Sequence, residues 1–205
     1  MSVLISALHQ TSPERVTVAL DDGSEIKATL GVVAELRLYA GRRLTEAELQ
    51  TLRVSAALAL CKNRGLELLS YRPMSAKELR DKLTEKGEEP AAAEAAVAWL
   101  CEHSFLDDAR YAGMVVRHNA GKGYGAGRIR QELQRRGVPR ELWDEALTEL
   151  PESDDKLDRF IASRLKDPSD RAQVQKVSAA LYRRGFSWEE IRTALARFRA
   201  DAGED

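Results

Sequence analysis

The side chains with most to offer chemically are basic residues that recur at fixed distances before a glycine. Counting back from Gly137, Arg128 lies nine residues earlier, Arg135 two and Arg136 one. The same offsets from Gly185 fall on Lys176, Arg183 and Arg184, and from Gly87 on Glu78, Glu85 and Lys86. The first two offsets are seven residues apart and therefore share one face of a helix. Two of the three copies thus carry a basic face where the first carries an acidic one. Guanidinium forks bind carboxylates and phosphates bidentately, so this pattern suits recognition of anions rather than the making or breaking of bonds. For any one arginine the plainer account is a solvated face with local ion pairs that stabilise little. Residues 104–150 hold 8 basic and 7 acidic side chains, so only their placement can make a patch.

Other candidates are weaker. The run Gly121-Lys122-Gly123-Tyr124-Gly125-Ala126-Gly127 precedes a helix, whose first backbone amides can hold an anion. However, Lys122 is followed by Gly123 rather than Ser or Thr, and no strand precedes the run, so it reads as a flexible linker between helices. Asp107 and Asp108 are adjacent at a helix start, where carboxylates cap, and no His or Glu stands at a spacing that would make them a metal or acid–base pair. Cys101 and His103 form a lone near-pair, and His9 and His118 show no zinc spacing with them. Trp99, Trp143 and Trp188 have rings that could stack on bases. All three lie in or near the helix after a glycine, however, so a core or inter-helix role is expected. No set of nucleophile, base and orienting group stands out, so neither catalysis nor a cofactor or metal is expected.

The elements that must position the basic residues follow from the same glycines. Leu79 and Leu83 precede Gly87, Ile129 and Leu133 precede Gly137, and Val177 and Leu181 precede Gly185, each pair eight and four residues before the glycine. Such positions share a helix face, and a glycine beyond the last turn can take the left-handed conformation that stops the helix. The glycines are 50 and then 48 residues apart, which points to an array of three units. Each unit reads as three short helices, held by packing against the next rather than by propensity. Thr45-Glu46-Ala47-Glu48, Ser75-Ala76-Lys77-Glu78 and Ser187-Trp188-Glu189-Glu190 supply capping boxes. Pro73 closes the helical rhythm of Glu46 to Tyr71, which also carries a break signal at Asn63-Arg64-Gly65. Asp154 and Asp155 open the last unit, and the tail Asp201 to Asp205 reads as acidic and frayed.

Residues 1–30 have a different texture. Val16 to Leu20 and Glu25 to Thr29 flank an Asp-Gly turn, which predicts a hairpin, and Val3 to Leu8 can add a third strand. A helix from Gly31 to Tyr39 would cover its apolar face. The predicted fold is therefore mainly α, with tandem three-helix repeats in an elongated curved array behind a small hairpin-bearing extension. The expected boundaries are 1–53 for the extension, 54–103, 104–150 and 151–205 for the repeats.

Composition bounds the function. The 205 residues are 43% hydrophobic and 32% charged, which suits a folded, soluble chain. With 32 Lys and Arg against 33 Asp and Glu, there is no global basic field for nucleic acid, and any such contact must come from local faces. No membrane span or secretory leader is read, and Cys61 and Cys101 lack disulfide-scaffold spacing, so a reducing cytoplasm is the expected compartment.

Taken together, these motifs resemble the RecX family of bacterial RecA regulators. The resemblance is carried by Arg72 with Ser75, Glu78 and Leu79, then Leu106-Asp107-Asp108 with Tyr111-Ala112, then Arg128-Ile129 with Glu132-Leu133 and Gly137, then Arg183-Arg184-Gly185-Phe186 with Ile191 and Leu195. It covers residues 54–198, and the hairpin-bearing leader is similar to one found in some members. The resemblance implies tandem three-helix repeats and a modulator without catalytic activity, and a monomer is expected. Such a protein lodges in the groove of the RecA filament on single-stranded DNA and dampens strand exchange, ATP hydrolysis and co-protease action, with at most a weak direct DNA contact. The expected partner-binding residues are Arg72, Lys86, Arg128, Arg130, Arg135, Arg136, Lys176, Arg183 and Arg184, with the weight on repeats two and three. The rival reading is an independent, non-specific DNA-binding repeat protein, against which the charge balance argues.

Overall fold

In the computed structural model the described residues are 2–150 and 154–201, and the tail beyond Asp201 lies outside them. Strands β1 (Ser2–Ser12), β2 (Arg15–Leu20), β3 (Glu25–Thr29) and β4 (Arg43–Thr45) form an antiparallel sheet in the order β3-β2-β1-β4. The predicted hairpin is present. Gly23 takes φ 79°, and the Asp22 carboxylate accepts the Ser24 N–H at 2.8 Å. Val18 pairs with Leu8 on one side and Ile26 on the other, and all three pack into one core with Ile5, Leu20 and Leu44. Strand β4 was not legible, because three residues carry no alternation and only pairing with Ser2–Leu4 makes them a strand.

The helix expected over Gly31 to Tyr39 is shorter. Helix α1 (Leu30–Glu35) is capped by the Thr29 hydroxyl and is followed by Arg37 at φ 51°. Helix α2 (Glu46–Tyr71) opens with the full capping box of Thr45 and Glu48. Leu49, Leu52 and Ala56 pack under the sheet, while Cys61 belongs to a second core with α3 (Ala76–Glu85) and α4 (Pro90–Glu102). The break expected at Asn63-Arg64-Gly65 does not occur, and α2 runs through it. Gly65 is buried, and a Cβ there would lie 2.8 Å from Leu100 Cδ1, so the glycine serves close packing of α2 on α4. A glycine inside a helix costs about 0.5–1 kcal/mol relative to alanine, which this burial of Leu100 offsets.

The second repeat comprises α5 (Asp108–Gly121), α6 (Ala126–Arg135), a 3-10 turn at Arg140–Leu142 and α7 (Trp143–Thr148). Its core holds Tyr111, Ala112, Val115, Ile129 and Leu133, the faces expected from the helical spacing. The third comprises α8 (Asp154–Ala162), α9 (Arg171–Arg183) and α10 (Trp188–Asp201), around Leu157, Ile161, Leu165, Val177, Leu181 and Ile191. Gly87, Gly137 and Gly185 all have positive φ, at 88°, 68° and 91°. They terminate α3, α6 and α9 in the way the glycine spacing requires. The chain divides after Asp107 into two compact units, the first holding the sheet and repeat one, the second repeats two and three.

Candidate functional site

Within the second unit, the start of α6 and the end of α9 meet backbone to backbone. The Gly125 N–H donates to the Arg184 carbonyl at 2.9 Å, and the Gly127 N–H donates to the Gly185 carbonyl at 2.9 Å. No side chain could intervene. A Cβ on Gly125 would lie 2.6 Å from the Gly185 oxygen, and one on Gly185 would lie 2.1 Å from the Arg128 nitrogen. The glycine run is therefore not the flexible linker expected from its composition. The Lys122, Gly123 and Tyr124 amides donate back to α5 carbonyls and those of Gly125 and Gly127 to the next repeat, where a flexible linker would leave them to water. The Arg184 side chain fastens the same loop, donating to the Gly123 carbonyl at 3.4 Å while its guanidinium lies 4.7 Å from the Phe160 ring centroid.

Beside this junction is a groove of about 540 Å³ whose lining includes Arg128, Arg130, Gln131, Tyr182, Arg183 and Glu190. Arg128, Arg130 and Arg183 thus come together from two repeats. Arg128 donates to the Gln131 side-chain oxygen at 3.1 Å, and Arg130 lies 3.9 Å from the exposed Asp144 carboxylate. Neither Arg128 nor Arg183 has an ion-pair partner among the described residues. The groove's lining thus holds three arginines and one acid, Glu190, whose carboxylate accepts the Ser187 N–H at 2.7 Å.

The other expected residues are placed differently. Arg135 forks Glu132 at 2.9 and 2.6 Å, and Arg136 donates to the same carboxylate at 2.6 Å and to the buried Tyr111 hydroxyl at 2.7 Å. The Arg135 hydrogen bonds, with Arg136 behind them, hold the Glu132 carboxyl at about 2, well below the usual range. These two arginines therefore tie α6 to itself and to α5. Lys176 is exposed on α9, two turns before Arg183. Arg72 forks Glu78, and Lys86 is exposed at the end of α3 with its carbonyl accepting from Arg64 at 3.2 Å; both belong to the first unit.

Trp99 and Trp143 fill the inter-helix roles expected of them. Trp99 packs on the repeat-one core and stacks on His103 at 4.2 Å, and the Trp143 indole donates to the Val138 carbonyl at 3.0 Å. Trp188 does not: it is 54% exposed and stacks at 5.0 Å on Tyr182, which is 53% exposed. The physical reason is that Leu181 and Phe186 take the buried positions on either side of Gly185, turning Tyr182 and Trp188 outward. Tyr182 was overlooked in the sequence, although its place one residue past the inward Leu181 signals an outward ring.

Burial pushes the Cys61 thiol up to about 11, and Cys101 is exposed. Among the described residues no group of three or more His, Cys, Asp or Glu side chains could hold a metal ion, and no helix is long and apolar enough to cross a membrane. Helix α5 begins at Asp108, directly after Asp107, at the helix start where capping carboxylates are expected.

Comparison with known proteins accounts for the architecture. Family models for the first, second and third three-helix domains of RecX match residues 61–100, 107–147 and 161–195. The regulatory protein RecX of Vibrio vulnificus (strain CMCP6) is 38% identical over 148 residues, covering 70% of this chain and 96% of its own. That of Xanthomonas axonopodis pv. citri (strain 306) is 40% identical over 134 residues, covering 64% and 83%. A crystal structure of regulatory protein RecX superposes with a TM-score of 0.73 at 27% identity, covering 94% of this chain and 98% of its own. RecX from Lactobacillus salivarius shares the fold, with a TM-score of 0.64 at 23% identity over 70% of this chain and 97% of its own. Three family domains laid end to end, and relatives matched over nearly their whole length, show that the chain belongs to the RecX family of regulatory proteins.

Proposed function

We propose that this protein restrains the RecA recombinase by seating in the groove of the RecA filament on single-stranded DNA, with no catalysis of its own. The observation that supports this reading is the cluster of Arg128, Arg130 and Arg183 around one groove, drawn from two repeats, with Glu190 the one acid among its described lining residues. A filament groove offers carboxylates and phosphates, both of which guanidinium forks bind. Several cationic contacts spaced along a repeat array add up where one surface pair would contribute little.

The test is RecA ATP hydrolysis on single-stranded DNA with this protein titrated in below one per RecA, beside a binding curve on bare DNA. Inhibition at substoichiometric amounts with weak bare-DNA binding is expected. Inhibition that only tracks coating of the DNA would instead favour an independent DNA-binding protein. Reversing Arg128→Glu with Arg183→Glu is expected to raise the half-inhibiting concentration at least tenfold. Glu85→Lys with Glu25→Lys, exposed acids of the first unit, should change it less than threefold. Equal losses from the two pairs would remove the groove from the contact surface.

A further inference from the structure

We infer that the groove between α6 and the α9–α10 turn is a subsite for single-stranded nucleic acid. Tyr182, which lines the groove, and Trp188, which stacks on Tyr182 at the groove's edge, form its base platform, and Arg128, Arg130 and Arg183 are its phosphate contacts. Both rings are more than half exposed, and they lie 5.0 Å apart with 18° between their planes. Large aromatic side chains normally contribute by burial, so two that stack outside the core next to a cationic groove present an unfilled π surface. Every base has a π face, and aromatic platforms beside cationic grooves are how proteins hold single strands without reading sequence.

The platform belongs to repeat three alone. At its offsets, three residues before and after the glycine, repeat two has Gln134 and Arg140 and repeat one has Thr84 and Pro90. The backbone junction of Gly125 and Gly127 with Gly185 holds the two walls in place, so the subsite is preformed. An acidic peptide would satisfy the arginines but leave the stacked rings without a planar partner, whereas a single strand uses both. A duplex presents phosphates with its base faces hidden. The inference goes beyond the filament reading: a strand within a filament and a free strand offer the same chemistry.

The test uses the full chain, without recombinase, and a fluorescein-labelled 20-mer of thymidine read by anisotropy at two salt concentrations. Trp188→Ala is expected to weaken binding about tenfold, and Trp188→Phe, which keeps a stacking ring, less than threefold. Arg183→Gln is expected to lower the salt slope by about 0.7, the loss of one single-strand phosphate contact. A duplex of the same length should bind more weakly than the single strand. Thermal melts of each variant matching the parent show that folding is intact. Parent-like binding by Trp188→Ala, a duplex that binds as tightly as the strand, or no binding by the parent would overturn the subsite. Displacement of the oligonucleotide by polyglutamate at equal concentration would assign the groove to an acidic protein segment instead. Because ATP hydrolysis by RecA is read separately, failure here leaves the filament reading standing.

Discussion

Glu132 shows how a single residue separates structural from available arginines. It draws Arg135 and Arg136 onto one carboxylate, leaving the basic stripe of α6 open mainly at its first turns, where Arg128 and Arg130 lie. The pH dependence of this clip has a definite sign. The Glu132 carboxyl sits at about 2 in the folded protein against an ordinary 4.5. Its contribution is therefore complete above about pH 4.5 and is lost as pH falls toward 2. Glu132→Gln is expected to melt below the parent at pH 7, with the difference closing between pH 4.5 and 2. A gap that stayed constant across that range would show that the ionised carboxylate contributes nothing. The rows of basic residues were legible from the sequence, but the partner each one chose was not, because a fork can turn to any acid within reach.

At the scale of elements, three glycines with the same spacing do different work. Gly87 and Gly185 have nearly the same φ, 88° and 91°. Around Gly87 there is no atom within 4 Å of where a Cβ would stand, whereas at Gly185 that position is 2.1 Å from the Arg128 nitrogen. Gly87→Ala should therefore cost only the left-handed strain of an L-residue, about 1–2 kcal/mol. Gly185→Ala adds a clash with backbone that cannot move aside, and more than about 4 kcal/mol is expected. Chemical denaturation of the two variants checks this, and equal losses would mean that the junction of α6 with α9 yields easily. The helix stop was readable from the spacing, but the contact across repeats was not, since it depends on which loop is laid against the glycine. The same blindness turned the Gly121 to Gly127 run into a supposed linker and Gly65 into a supposed break.

For the whole molecule, the separate cores set the expectation for unfolding. The sheet and repeat one form one compact unit, and repeats two and three form another. Calorimetry is expected to resolve two transitions. Leu52→Ala, which empties a fully buried position beneath the sheet, should lower one by the equivalent of about 2–5 kcal/mol, and Gly185→Ala should lower the other. A single transition shifted by both variants would show that the units unfold together. The sequence by itself determined the helical repeats, their inward faces, the hairpin and the capping boxes, because periodicity, glycine stops and N-caps act within a few residues of chain. Only the tertiary structure decided that α2 runs unbroken between two cores, that Arg128 and Arg183 share a groove, and that Trp188 stacks outside rather than within. Those outcomes depend on which surfaces meet in the folded chain, Gly65 with Leu100 across 35 residues and Arg128 with Arg183 across 55, and no local pattern encodes such meetings.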